Sequence, residues 1–155
     1  MLQDESDVWG SAMGSAAFPG AGLADSDYGG ALTAFFDHGI LVVEDVETPG
    51  RHEDWDSDTE PFHLDVDSLY VAVLASVDGP VRVDVFHCGP PAEFTDGLVL
   101  KLEGVLETPS ARVVVQDLDD HAELRVGVFS RAQDLKVFVN DSKWVDRVVI
   151  VLTAR

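Results

Sequence analysis

The sequence predicts an all-β fold: an antiparallel β-sandwich, or a flattened barrel, of about eight to ten strands. Three observations predict it. After Gly30, short segments rich in Val, Leu and Phe recur about every eight to twelve residues, separated by turn residues. Many of these segments alternate apolar and polar residues with a period of two. No stretch after Gly30 sustains apolar residues at i, i+3, i+4 and i+7 over a helical length. Parallel pairing needs crossovers of about a dozen residues or more, and most of these connections are shorter.

The elements follow in order. "ALTAFF" and "GILVVEDVE" come first, with Asp37-His38-Gly39 as the turn between them. "FHLDV" alternates, placing Phe62, Leu64 and Val66 on one side and His63, Asp65 and Asp67 on the other. "LYVAVLASV" is almost wholly apolar, as a central strand covered on both faces would be. Asp78-Gly79-Pro80 then turns the chain into "VRVDVFH", and the same period returns in "LVLKLE", "RVVVQ", "ELRVGVF", "LKVFV" and "VDRVVIVLT". Two long polar interruptions, Thr48 to Pro61 and Cys88 to Gly97, read as loops. Residues 1–30, built of Gly, Ala and Ser with scattered aromatics, read as an extended, partly ordered arm, leaving residues 31–155 as the sandwich domain.

Charge is the unusual property. The chain holds 29 acidic and 10 basic residues, a formal −19. Met1 to Asp65 carries 15 acids and one base, Arg51, whereas Val66 to Arg155 sets 14 acids against nine bases. Such a field repels nucleic-acid phosphates and anionic lipid, and it speeds encounter with a basic protein. The plainer reading is an acid-rich surface that confers solubility or salt tolerance. The acidic N-terminus lacks the basic and apolar regions of a secretory signal, and no apolar run is long enough for a membrane helix. With a single cysteine, Cys88, a reducing cytoplasmic setting is expected.

No sequence signature of catalysis stands in the chain. "GSAMG" misplaces its serine for a nucleophile elbow, and Gly20-Ala21-Gly22 follows no strand. Cys88, ending a strand, reads as a buried, inert thiol. The histidines show no zinc spacing: His52 and His63 are eleven residues apart, His38 and His121 stand singly, and His87 adjoins Cys88. No catalytic residue, metal ligand or cofactor is assigned from sequence. Asp54-x-Asp56-x-Asp58 matches the start of a calcium loop, but Thr59 replaces the required glycine and Asp65 the closing glutamate.

The stretch "RHEDWDSDTE" fits a solvated connector, or next a partner-binding loop, better than a metal cage. Asp54, Asp56, Asp58 and Glu60 would supply the field and Trp55 an apolar anchor for a basic protein. Trp144, in the polar turn "NDSKW", and Phe94 are further exposed-looking rings; the plainer reading is that each ring folds back to cap the sandwich.

The order of a strand pair, a polar gap, an apolar strand turning into another, then "VVVQDLDDHAELRVGVFS" and a final strand resembles small acidic β-rich inhibitors. Among these are the competence-associated nuclease inhibitors. The resemblance implies a non-enzymatic protein that docks a nuclease or toxin with clustered carboxylates, and carries over no individual residue. Two other readings stand beside it. One is a structural protein that forms a homo-oligomer through its arm; the other is a calcium- or carbohydrate-binding module.

Overall fold

The computed structural model describes residues 27–48, 52, 55–119, 121–140 and 143–155. These residues form ten strands in two five-stranded sheets. The strands are β1 (Tyr28–Ala34), β2 (Ile40–Asp45), β3 (Phe62–Leu64), β4 (Ser68–Ala72) and β5 (Val81–Phe86). The second half adds β6 (Leu98–Glu107), β7 (Arg112–Asp117), β8 (Glu123–Gly127), β9 (Ala132–Asn140) and β10 (Arg147–Ala154). One sheet runs β1-β5-β10-β9-β6 and the other β3-β4-β2-β7-β8. The expected sandwich is what forms. Of the expected arm, residues 1–26 lie outside the described residues, and β1 takes in Tyr28 to Gly30.

The core lies between the sheets. Alternate residues of each strand face inward, so Leu41 and Val43 meet Val81, Val83, Val137 and Ile150 in one fully buried cluster. Each such Val, Leu or Ile contributes about 1.5–3 kcal/mol by leaving water. Asp45 is also wholly buried, where its carboxylate accepts from Ser110 N at 3.0 Å, Ser110 Oγ at 2.7 Å and Glu47 N at 3.0 Å. Three donors offset the desolvation of that charge and tie β2 to the β6–β7 turn.

Four features depart from the sequence expectations. First, β5 and β10 pair in parallel, through Val83 with Val148. Connection length does not forbid this pair, because β6 to β9 all lie between its members in the chain. Second, β3 stops at Leu64, and Val66, expected on the same side of the strand as Phe62 and Leu64, is 60% exposed. Third, β4 is second from the edge rather than central. It ends at Ala72, after which Leu74 N bonds Val145 O at 2.7 Å and Ala75 bridges to Phe36. Fourth, the loop Cys88 to Gly97 contains a single helical turn, α1 (Ala92–Thr95).

α1 lays Phe94 against Phe86 and Tyr28 on the outer face of the first sheet, with ring centroids 4.9 and 6.5 Å apart. Arg147 holds α1 there by donating to Phe94 O at 2.8 Å. Beside this small cluster, buried Asp84 accepts from Arg82 at 3.0 and 3.2 Å and from Tyr28 Oη at 3.2 Å. Burial, then the Asp84 charge, pushes the Tyr28 hydroxyl up to about 12.

Candidate partner-binding site

The acidic loop leaves β2 and returns as β3, so it lies over the outer face of β3 and β4. That face is polar by the alternation of its strands: His63 and Tyr70 stand opposite each other as a cross-strand pair, and Ser68 faces Glu44 of β2. His52 drops onto this pair. Its ring stacks on Tyr70 at a centroid distance of 3.7 Å and meets His63 edge-on at 4.7 Å. Trp55 adds a fourth ring, 5.4 Å from Tyr70 and 6.3 Å from His63. Its indole Nε1 donates to Glu60 O and so closes the loop on itself.

Beneath the rings runs a hydrogen-bond relay. Ser68 Oγ contacts Glu44 Oε1 at 3.0 Å and His52 Nε2 at 2.8 Å, while His52 Nδ1 meets His63 Nδ1 at 2.5 Å. The ionised carboxylate of Glu44 can only accept, so the hydroxyl donates to it and His52 Nε2–H donates to the hydroxyl. His52 Nδ1 then accepts from His63 Nδ1–H. The His52 imidazole is neutral in this assignment. Burial, reinforced by the neighbouring His63, lowers the His52 pKa, in keeping with that state. Ser68 is 1% exposed and gives its proton to Glu44, so the relay orders the loop rather than presenting a nucleophile.

Above the rings the loop turns tightly. Glu60 N and Thr59 N bond Asp56 O at 2.9 and 3.2 Å, and Asp58 N bonds Asp56 Oδ1 at 3.0 Å. The side chains of Asp56, Asp58 and Glu60 are exposed. Asp54 lies outside the described residues. Trp55 is half-buried against the sheet, while Asp56 beside it is exposed.

Across from the loop stands the turn that carries Trp144. Asn140 shapes it by accepting from Asp146 N and Arg147 N, both at 3.1 Å, and donating to Trp144 O at 3.3 Å. Lys143 lies 5.1 Å over the Trp144 ring, which is 56% exposed. Between loop and turn opens a cleft of about 650 Å³, lined in part by Ser57, Asp58, Phe62, Lys101, Lys143 and Trp144. Sequence reading singled out both walls without placing them together. It also missed the support, Glu44, Ser68 and Tyr70, because only strand pairing brings these under His52. Of the three exposed-looking rings, Trp55 and Phe94 pack back on the protein, as the plainer reading has it, and Trp144 is exposed. Cys88, expected buried, is half-buried, and Asp27, accepting its hydrogen bond, pushes the thiol up.

No family model matches the chain, and no curated protein matches it. One matching solved structure is that of ComJ, an inhibitor of the DNA-degrading activity of NucA, from Bacillus subtilis. It aligns with a TM-score of 0.63 over 83% of this chain and 97% of that one, at 6% identity. The chain resembles ComJ in fold. The crocagin biosynthetic gene J product aligns with a TM-score of 0.50 over 81% of this chain and 94% of that one, at 13% identity. At identities this low the alignments show a shared fold alone, and at that level the expected likeness to a competence nuclease inhibitor holds.

Proposed function

We propose that this chain is a non-enzymatic, inhibitor-type binding protein that docks a basic protein, in the first instance a nuclease. The fold likeness to ComJ supports the inhibitor-type role. The observation that carries the docking surface is the loop itself: exposed Asp56, Asp58 and Glu60 ride on a turn pinned by Trp55 and His52. Holding carboxylates in place before encounter removes ordering entropy from the binding step. Their spacing along a rigid turn offers a basic nuclease anionic groups where its substrate would offer phosphates. Asp54 completes the carboxylate set in this proposal, and cytoplasmic localisation belongs to it as well.

The test begins with affinity capture from native lysate at low salt. The captured material is then assayed for DNA degradation with increasing amounts of the protein. Degradation is expected to fall stoichiometrically, and the Trp55→Ala variant to release its partner faster. Captured nuclease activity that is indifferent to saturating protein would overturn the reading.

A further inference from the structure

Two backbone hydrogen bonds join three segments at the end of the sandwich where β4 stops. Ser76 N donates to Phe36 O at 2.9 Å, and Leu74 N donates to Val145 O at 2.7 Å. The joined segments carry Phe35, Val77 and Trp144, which are 58, 89 and 56% exposed. Large apolar side chains exposed on adjoining segments mark a surface where another molecule docks.

The charges around this patch say what kind of molecule. Trp144 lines two hollows: the cleft described above, which Lys143 shares, and a recess of about 410 Å³ whose other walls are Leu74, Asp78, Asn140 and Asp146. Asp78 and Asp146 are exposed. The arginines nearest them in sequence are committed elsewhere, Arg82 to Asp84 and Arg147 to the Phe94 carbonyl of α1. Among the described residues, no lysine or arginine pairs with either carboxylate. The recess thus offers an aromatic wall, an apolar residue and two carboxylates, a setting complementary to a cation. Lys143, 5.1 Å over the Trp144 ring, shows that the indole face holds a cation already.

We propose that this recess receives an arginine side chain of a basic protein partner, its guanidinium stacked on Trp144 and donating to Asp78 and Asp146, with Phe35 and Val77 as the apolar rim. Arginine suits the site better than lysine, because its planar group stacks on a ring and forks two N–H donors toward carboxylates. Asn140 fixes the turn beforehand through Asp146 N and Trp144 O, so little ordering remains for the binding step. Ser57 and Asp58 of the acidic loop line the cleft that Trp144 also lines, so one partner reaches both. The loop steers and this end anchors. The proposal rests on the reading of the partner as a basic protein, and adds to that reading the side chain it inserts and where.

The peptide acetyl-Gly-Arg-Gly-Arg-Gly-amide, titrated into the full-length protein and followed by the indole N–H signals in NMR, tests it. Salt of about 0.15 M keeps diffuse attraction screened beyond roughly 8 Å. The Trp144 signal, assigned by its loss in Trp144→Phe, is expected to shift to saturation. A peptide with citrulline in place of arginine, alike in shape but uncharged, should leave it unmoved. Binding should weaken at least roughly fivefold in Asp78→Asn/Asp146→Asn, and less in Asp56→Asn/Asp58→Asn/Glu60→Gln, which removes more charge. A shift confined to the Trp55 indole, an equal response to the citrulline peptide, or no indole shift at millimolar peptide would each overturn the proposal. Inhibition of the captured nuclease that survives such a result would show that the anchor is misplaced while the inhibitor reading stands; captured nuclease indifferent to the protein would show that reading itself to fail.

Discussion

At the scale of single residues, His52 decides how the acidic loop responds to pH. Its native pKa lies below the ordinary 6.5, first because the ring is desolvated and next because His63 faces it. Asp65 and Asp67 pull the other way, more weakly. The unfolded chain therefore binds a proton on His52 more readily than the folded one. Stability contributed by the neutral ring is complete above about pH 6.5 and is lost as pH falls through that value toward the lowered native one. Protonation also places an N–H on the atom that must accept from His63. Trp55 fluorescence, taken as the difference from a Trp55→Phe variant, should change on acidification below about pH 6.5, and that change should flatten in His52→Gln. A constant signal down to about pH 5 would count against the relay. Nothing in the sequence marks this pair, since His52 and His63 are separated by a loop and meet only through Tyr70 and Ser68 of a third segment.

At the scale of elements, strand periods were legible and strand contexts were not. The two-residue alternation in "VRVDVFH" and "LKVFV" appears as inward Val83, Val85, Val137 and Val139. "LYVAVLASV" misled in its continuous apolar run, which suggested one central strand, whereas β4 is second from the edge and ends at Ala72. Its outer face is covered at Tyr70 by His52 and Trp55, and the segment after it bends away to meet Val145 and Phe36. A close approach of the two sheets at β3 and β6 was equally hidden. A Cβ added to Gly104 would lie 2.5 Å from Leu64 Cδ2, so the Leu64 side chain fills room that this glycine leaves and would have to turn aside. Gly104→Ala should lower stability by about 1 kcal/mol, the low end of the range for overpacking, because the side chain it meets can turn aside. Denaturant unfolding should show a smaller loss for the same substitution in a Leu64→Ala background, where the obstructing methyl is gone. Equal losses in the two backgrounds would place the cost elsewhere.

At the scale of the whole molecule, net charge sets how partners arrive. With a formal −19, the protein should associate with a basic partner at rates that fall steeply with salt. Neutralising Asp56, Asp58 and Glu60 as amides should slow association by roughly tenfold at low salt and flatten its salt dependence, leaving dissociation less affected. Stopped-flow measurements at two ionic strengths check this, and rates that are equal for protein and variant would remove the loop from the steering field. The sequence alone determined the all-β class, the turn at Asp37-His38-Gly39 and the excess of acids in the first 65 residues, because periodicity, turn chemistry and composition are local properties. Tertiary structure decided the parallel β5–β10 pair, the ring stack that pins the loop, the cleft facing Trp144 and the recess that sets Trp144 beside Asp78. Each of these joins residues far apart in the chain, and their proximity follows from sheet register, which only the packing of the two sheets selects.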